Sequence, residues 1–296
     1  MKRNYGIDLL RMVLMLMVVV LHILGQGGVL EASGTLTVKY GASWLLESFA
    51  FCAVNCYAMI TGYVYIHGRY RFSSLIQIWL QALVYSLGIV ACTWILKPEN
   101  FGVLKLIHFS LPVSSGVYWY LSAYVGLFIL IPFLNAAIHA IPEKQIKCYL
   151  FLAFFMFTIP SALTRYDAFA LKWGYGTFWL ALMYVLGACM RKYGWWDTVK
   201  PGKATLVYIC SVLLSWGIKI GCESITMRLQ GEANSVFSVM TYTSPLMVIG
   251  AVALFLAFKN AAVSPKLTGL ISALSPAAFG VYLIHQHDYI RGFFIV

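Results

Sequence analysis

The first apolar stretch of the chain contains three ionisable side chains, Asp8, Arg11 and His22. Arg11 and His22 are eleven residues apart, and at about 100° per residue both project from one face of a helix. Asp8, three residues before Arg11, belongs to the same face. Histidine is suited to taking a proton near neutral pH, and arginine is suited to binding a phosphate. The stretch therefore indicates a polar face lining a passage, or else a signal peptide or a plain anchor with snorkelling charges.

The depth of these groups follows from the helix rise. Arg11 and His22 are separated by about 16 Å along the axis at 1.5 Å per residue. If Arg11 lies at the cytoplasmic edge, His22 is expected near or just beyond the middle of the bilayer. His285, nine residues after Pro276, is expected at a similar depth, about 14 Å from the cytoplasmic edge. We interpret His285 either as a second polar group of the channel or as a structural hydrogen-bonding residue.

Three further parts of the sequence carry side chains that could bind a ligand or orient the histidine. Arg69 and Arg71 lie in a short loop after the second apolar stretch, where they predict either phosphate binding or ordinary positive-inside anchoring. Trp119 and Tyr120 lie at the start of the fourth stretch. We interpret them either as residues of an aromatic belt or as rings that stack on a sugar. Glu47 is interpreted as an outer-edge carboxylate, or as a group that orients the first-stretch histidine.

The composition identifies a polytopic membrane protein. Of 296 residues, 61% are hydrophobic and only 10% are charged, which excludes an ordinary soluble domain. The apolar runs are too long for β-barrel strands, so we predict an all-α transmembrane helical bundle. The net charge of +11 resides in short loops that suit anionic lipid, and no nucleic-acid partner is predicted. The seven cysteines show no metal-type spacing, and no metal is predicted.

The hydropathy pattern predicts nine spans, within a total of about nine to ten. Lysine and arginine are more frequent in the loops that an inside N-terminus would place in the cytoplasm, so we predict a cytoplasmic N-terminus. A single domain over 1–296 is predicted, with no separate soluble part. The predicted spans are about 6–25, 43–66, 74–96, 117–136, 147–164, 174–192, 204–222, 237–258 and 276–294.

Several of these segments together resemble a known family. The Arg11 and His22 pair is similar to the Arg-x10-His signature of the acyltransferase 3 family of bacterial membrane enzymes. Residues 55–63 (NCYAMITGY) resemble its second-span pattern, with Thr61 in place of the usual serine. Residues 118–121 (YWYL) with 131–135 (IPFLN), and residues 280–285 (GVYLIH), resemble two later signatures. The matches occur in order over most of the chain, and the sequence looks most like the branches that modify surface polysaccharide.

The resemblance implies a fold, a reaction and roles for individual residues. It implies transfer of an acyl group, usually acetyl from cytoplasmic acetyl-CoA, to a glycan hydroxyl outside the bacterial cytoplasmic membrane. The family usually has about ten core helices, so the last one is expected to be missing here. The implied roles are His22 as base, Arg11 as ligand of a CoA phosphate or of the thioester oxygen, Asp8 as orienting group, Arg69 and Arg71 as CoA ligands, and Trp119, Tyr120, His285 and Glu47 toward the acceptor.

Two other classes of function remain open at this stage. A transporter or flippase would also place ionisable groups along a path through the membrane, without making bonds. Paired half-repeats or discontinuous helices would favour it, and the sequence shows neither. A membrane anchoring or sensing module for a partner is the third interpretation.

Overall fold

The fold is taken from a computed structural model that describes residues 3–97 and 102–292. Within these ranges all regular structure is helical and no strand occurs, so the predicted all-α class is confirmed. The ends of the predicted domain 1–296 and of the predicted span 276–294 lie outside the described residues. The helices are α1 (Tyr5–Leu24), α2 (Val29–Ala32), α3 (Val38–Ala50), α4 (Ala53–Tyr65), α5 (Phe72–Leu96), α6 (Val103–Ser110), α7 (Trp119–Ala140), α8 (Glu143–Thr164), α9 (Thr177–Tyr193), α10 (Pro201–Gln230), α11 (Pro245–Lys259), α12 (Pro265–Leu274), α13 (Ala278–His285) and α14 (Asp288–Arg291).

Seven helical segments among the described residues are long and apolar enough to cross a bilayer. They are α1, α5, α7, α8, α10, the α3–α4 segment (Val38–Tyr65) and the α12–α13 segment (Pro265–His285). The remaining two predicted spans correspond to α9 and α11, which are shorter, with 17 and 15 residues. A count of nine spans is therefore not confirmed. We call the end of the bundle at which α1 begins the proximal end, and the end at which α1 stops the distal end.

The bundle is held together by very close helix crossings. A Cβ atom added to Gly62 of α4 would lie 1.9 Å from the carbonyl oxygen of Tyr184 in α9. The reciprocal contact joins Gly187 of α9 to the carbonyl oxygen of Met59, at 2.0 Å from the added Cβ. Small residues allow helix backbones to approach in this way inside a membrane. The glycine pair thus brings α4, which forms one wall of the candidate site, into direct backbone contact with α9.

A buried amide links the same helices to the segment before α11. Asn55 of α4 is fully buried, and its Nδ2 donates a hydrogen bond to the carbonyl oxygen of Tyr242 at 2.9 Å. Its Oδ1 accepts a hydrogen bond from Nε1 of Trp179 in α9 at 2.8 Å. Because a buried amide is costly unless it is hydrogen-bonded, these two bonds fix the position of Tyr242 at the distal end.

The last predicted span is wrong in its boundaries. It was expected to start at Pro276, whereas the helical segment starts at Pro265, and residues 275–277 form a 3-10 turn between α12 and α13. Proline lacks an N–H group, and a short 3-10 turn accommodates it without ending the segment. The segment ends at His285, near the distal end. His22 likewise lies in the last turn of α1, so both histidines are near the distal end of the bundle.

Candidate functional site

A cavity of about 320 Å³ lies between α1, α4, α7 and α13. Its wall is largely aromatic, and Arg11 is the only permanently charged side chain among the described residues that line it. Six tyrosines contribute to the wall: Tyr57, Tyr65, Tyr120, Tyr124, Tyr242 and Tyr282. The volume is at the lower end for small-molecule sites, so the cavity suits a slender ligand.

One stripe of α1 forms the length of this cavity. Arg11, Met15, Val18 and His22 all line it. Their spacing of four, three and four residues follows one face of an α-helix. Arg11 and His22 therefore face the same cavity from opposite parts of the helix, about 16 Å apart along its axis. This arrangement agrees with the spacing of the two residues in the sequence.

At the proximal part of the cavity, Asp8 is held between two arginines. Its carboxylate accepts hydrogen bonds from Nε of Arg3 at 2.5 Å and from Nη1 of Arg11 at 2.8 Å. Asp8 is buried, whereas a third of the Arg11 side chain remains exposed. The hydrogen bond to Asp8 raises the pKa of Arg3 above its ordinary value. Asp8 thus contacts Arg11 as expected of an orienting group, and the guanidinium of Arg11 lies where the cavity approaches the surface.

The α1 backbone at this point is tied to α4. The hydroxyl of Tyr57 donates a hydrogen bond to the carbonyl oxygen of Arg11 at 2.7 Å. The start of α1 is capped by Asn4, whose side chain accepts from the N–H groups of Gly6 and Ile7. These contacts fix the helix that carries both candidate residues against the opposite wall of the cavity.

At the distal part of the cavity, His22 pairs with His285. Nδ1 of His22 is 2.8 Å from Nε2 of His285, and Nδ1 of His285 is 2.6 Å from the carbonyl oxygen of Val281. His22 also lines a second, small hollow of about 20 Å³, together with Gly27, His285 and Arg291. A hollow of this size accepts one water molecule or one hydroxyl group. His22 therefore borders a large cavity and a hydroxyl-sized hollow.

An aromatic cluster, defined as Trp119, Tyr175 and Tyr242, lies at the distal end. The ring centroid of Trp119 is 4.6 Å from that of Tyr175, and the centroids of Tyr175 and Tyr242 are 4.8 Å apart. Trp119 and Tyr242 also line the cavity. Burial raises the pKa of both tyrosines, and the charge of Glu47 adds to this increase. Both phenols therefore stay protonated near neutral pH and retain their O–H donors.

Five of the nine predicted site residues do not line the cavity. Asp8 and His285 contact the lining residues Arg11 and His22, whereas Arg69, Arg71 and Glu47 lie elsewhere. Arg69 and Arg71 are exposed in the turn between α4 and α5, at the proximal end, and neither is among the described residues that line the cavity. Glu47 is buried in α3, and its interpretation as an outer-edge carboxylate stays a prediction. Its Oε2 has no hydrogen-bond partner in the part of the chain that the structure describes. His285, not Glu47, is the partner of the Nδ1 atom of His22.

The residues that form the α4 wall of the cavity were not predicted from the sequence. Tyr57, Ile60, Thr61 and Val64 line it with the spacing of one helical face. The polar members of that stripe were visible in the sequence, but the face that they share with α1 was not. In residues 3–97 and 102–292, no cluster of histidine, cysteine and acidic side chains has a geometry that would hold a metal ion.

Comparison with known proteins adds one finding. A family model described as an acyltransferase domain matches residues 4–295, nearly the whole chain. Searches of curated proteins and of solved structures gave no match.

Proposed function

The chain belongs to the acyltransferase 3 family and has membrane-spanning helices, and from this we propose that it moves an acetyl group from acetyl-CoA to a hydroxyl of a cell-surface glycan. It is a membrane acyltransferase; the donor, the acceptor and a location in the bacterial cytoplasmic membrane are the proposed part. The observation that supports this most strongly is the single cavity between Arg11 and His22. It connects a phosphate-binding group near one end of the bundle with a base near the other.

We propose that the donor enters from the proximal end. Arg11 is oriented by Asp8, and Arg69 and Arg71 lie exposed at the same end. Guanidinium groups bind phosphate with paired hydrogen bonds, as the diphosphate of CoA requires. At about 320 Å³ the cavity is at the lower end for small-molecule sites, so we propose that the pantetheine arm extends inward while the nucleotide stays outside. The excess of basic loop residues at this end favours the cytoplasm as its location.

The separation of Arg11 from His22 favours one of the two roles that the sequence suggested for Arg11. A thioester carbonyl next to His22 would lie too far along α1 for the Arg11 side chain to reach. Arg11 is therefore proposed as a ligand of the donor phosphate and not of the thioester oxygen.

The acceptor is proposed to approach from the distal end. The small hollow beside His22 admits one hydroxyl group, and Arg291 lies at its edge. The aromatic cluster offers ring faces on which a sugar can stack, and Tyr120 lines the adjoining wall. His22 is the one histidine among the described residues that lines both the cavity and the hollow, and it would take the proton of the attacking hydroxyl.

Mass spectrometry of cell-surface polysaccharide tests this function. Cells with the wild-type gene are expected to carry acetyl esters that cells without the gene lack. His22→Ala should abolish them at normal protein level, because a general base contributes about a hundredfold or more. His139→Ala, at an exposed position of α7, is the matched control and should retain them.

The same measurement separates the proposed enzyme from a transporter. A flippase would change the amount or location of the glycan without changing its acetyl content, and purified protein would release no free CoA from acetyl-CoA. Unchanged acetylation in the His22→Ala cells would remove His22 from the mechanism.

A further inference from the structure

The two contacts of His285 determine where the protons of the histidine pair lie. The carbonyl oxygen of Val281 can only accept, so Nδ1 of His285 is the donor in the 2.6 Å contact. A neutral imidazole carries one N–H, which leaves Nε2 of His285 as an acceptor. Nδ1 of His22, 2.8 Å away, must then be the donor. The proton of His22 is consequently on Nδ1, and its Nε2 atom has a free lone pair.

We propose that His285 is a positioning residue that keeps His22 in the tautomer with Nε2 as the base. This inference rests on the proposed function of His22. It assigns His285 a defined action on the first-span histidine, in place of the two general roles that the sequence left open. A neutral histidine without such a partner exchanges between tautomers, and the tautomer with Nε2 protonated cannot accept a proton at that atom.

The helix geometry makes this arrangement rigid. Val281 and His285 are one turn apart in α13, so the carbonyl oxygen and the ring that binds it are fixed by the same turn. His285 is buried, and its ring packs against the Tyr282 ring with centroids 6.0 Å apart. The orientation of His285 is therefore set before any ligand binds, and it transmits this orientation to His22.

The surroundings of the pair act in both directions on the charge that develops during transfer. His22 and His285 both lie in the last turn of their helices, where the free carbonyl groups form the negative end of the helix dipole. Arg291 borders the hollow beside the pair and opposes this effect, although Asp288 forms an ion pair with it at 3.1 Å. Tyr282 is the other titratable group in ring contact with His285. The two helix ends favour an imidazolium at His22, and the burial of His285 and the charge of Arg291 oppose it.

The proton path balances without any further reactant. The acceptor oxygen attacks the thioester carbonyl carbon, and its proton moves to Nε2 of His22. The Nδ1–H of His22 remains bonded to Nε2 of His285, which now stabilises an imidazolium. When the carbon–sulfur bond breaks, the CoA thiolate takes the proton back from Nε2. His285 touches neither substrate in this sequence, and it acts only through His22.

Two substitutions separate the proposed action from simple packing. His285→Phe keeps the ring but removes the acceptor, whereas His285→Gln can offer its side-chain oxygen to Nδ1–H of His22. The hydrogen bond from Nδ1 of His22 to Nε2 of His285 strengthens about twofold when His22 becomes charged. Because the Phe variant loses this gain in the transition state, its kcat should fall about tenfold. The KM for acetyl-CoA should stay unchanged, and the Gln variant should recover most of kcat.

The assay uses the full chain in proteoliposomes with radiolabelled acetyl-CoA and a cell-envelope polysaccharide fraction, measured over a pH series. In the Phe variant the acidic limb of the kcat profile should move to lower pH, because protonated His22 has lost its acceptor. His287→Phe is the matched control: this buried histidine lies two residues away, outside both the cavity and the hollow, and kcat should not change.

The outcomes distinguish this inference from the proposed function. A Phe variant with wild-type kcat and an unshifted pH limb would overturn the role of His285, provided that His22→Ala is inactive. If the Phe variant does not accumulate, the Gln variant decides, since a tenfold loss in a folded Gln protein contradicts an acceptor role. If the wild type transfers no label, or if His22→Ala keeps full activity, the proposed function itself fails.

Discussion

The contact between Gly62 and α9 predicts a large effect of one methyl group. In Gly62→Ala the new Cβ would lie 1.9 Å from the Tyr184 oxygen and 2.9 Å from the backbone nitrogen of Ala188. Ordinary van der Waals contact begins at 3.4 Å, so the shortfall is 3.4 − 1.9 = 1.5 Å. Because the obstructing atoms belong to a helix backbone, no side chain can move aside, and α4 and α9 must separate.

The energetic cost follows from this enforced separation. Overpacking a dense interior costs about 1–3 kcal/mol, and we expect the upper part of that range because both helices must shift. At about 2 °C per kcal/mol for a chain of this size, Tm should fall by roughly 6 °C. Activity should fall as well, since α4 forms one wall of the cavity between Arg11 and His22.

Thermal unfolding in detergent micelles, followed by tryptophan fluorescence, measures this change. Gly217→Ala is the matched control, because Gly217 is also inside a spanning helix and an added Cβ there meets nothing within 4 Å. That variant should melt at or slightly above the wild-type temperature, since alanine favours a helix by up to about 1 kcal/mol. A Gly62→Ala protein that melts together with the wild type would refute the close helix crossing.

Two further predictions concern the ends of the bundle. Burial lowers the pKa of His287 to about 4, so the folded state excludes a proton that the unfolded chain binds below its ordinary value of 6.5. Stability should be complete above pH 6.5 and fall by up to about 3 kcal/mol as the pH decreases toward 4, and Tm against pH should lose this slope in His287→Phe. At the proximal end, Arg69→Ala should raise the KM for acetyl-CoA about tenfold with little change in kcat, as expected for one lost phosphate contact. Arg228→Ala, in the last turn of α10, should leave the KM for acetyl-CoA unchanged. A change confined to acceptor kinetics would contradict a donor role for Arg69.

The sequence alone determined the class of the protein and the line of polar groups on α1. Hydrophobic runs of sufficient length identify membrane helices, because every backbone polar group in lipid must be paired within its own segment. The spacing of Arg11 and His22 is likewise a local property, since residues within one helix keep a fixed angular relation. Both features were predictable before any packing was known.

The tertiary structure decided the partners of these groups. His22 pairs with a residue 263 positions later in the chain, and no periodicity within a single helix can indicate such a contact. The boundaries of the last segment and the burial of Glu47 also depend on which helices pack together. Local spacing gives the direction of a side chain relative to its own helix, whereas its neighbours depend on the arrangement of all the helices around it.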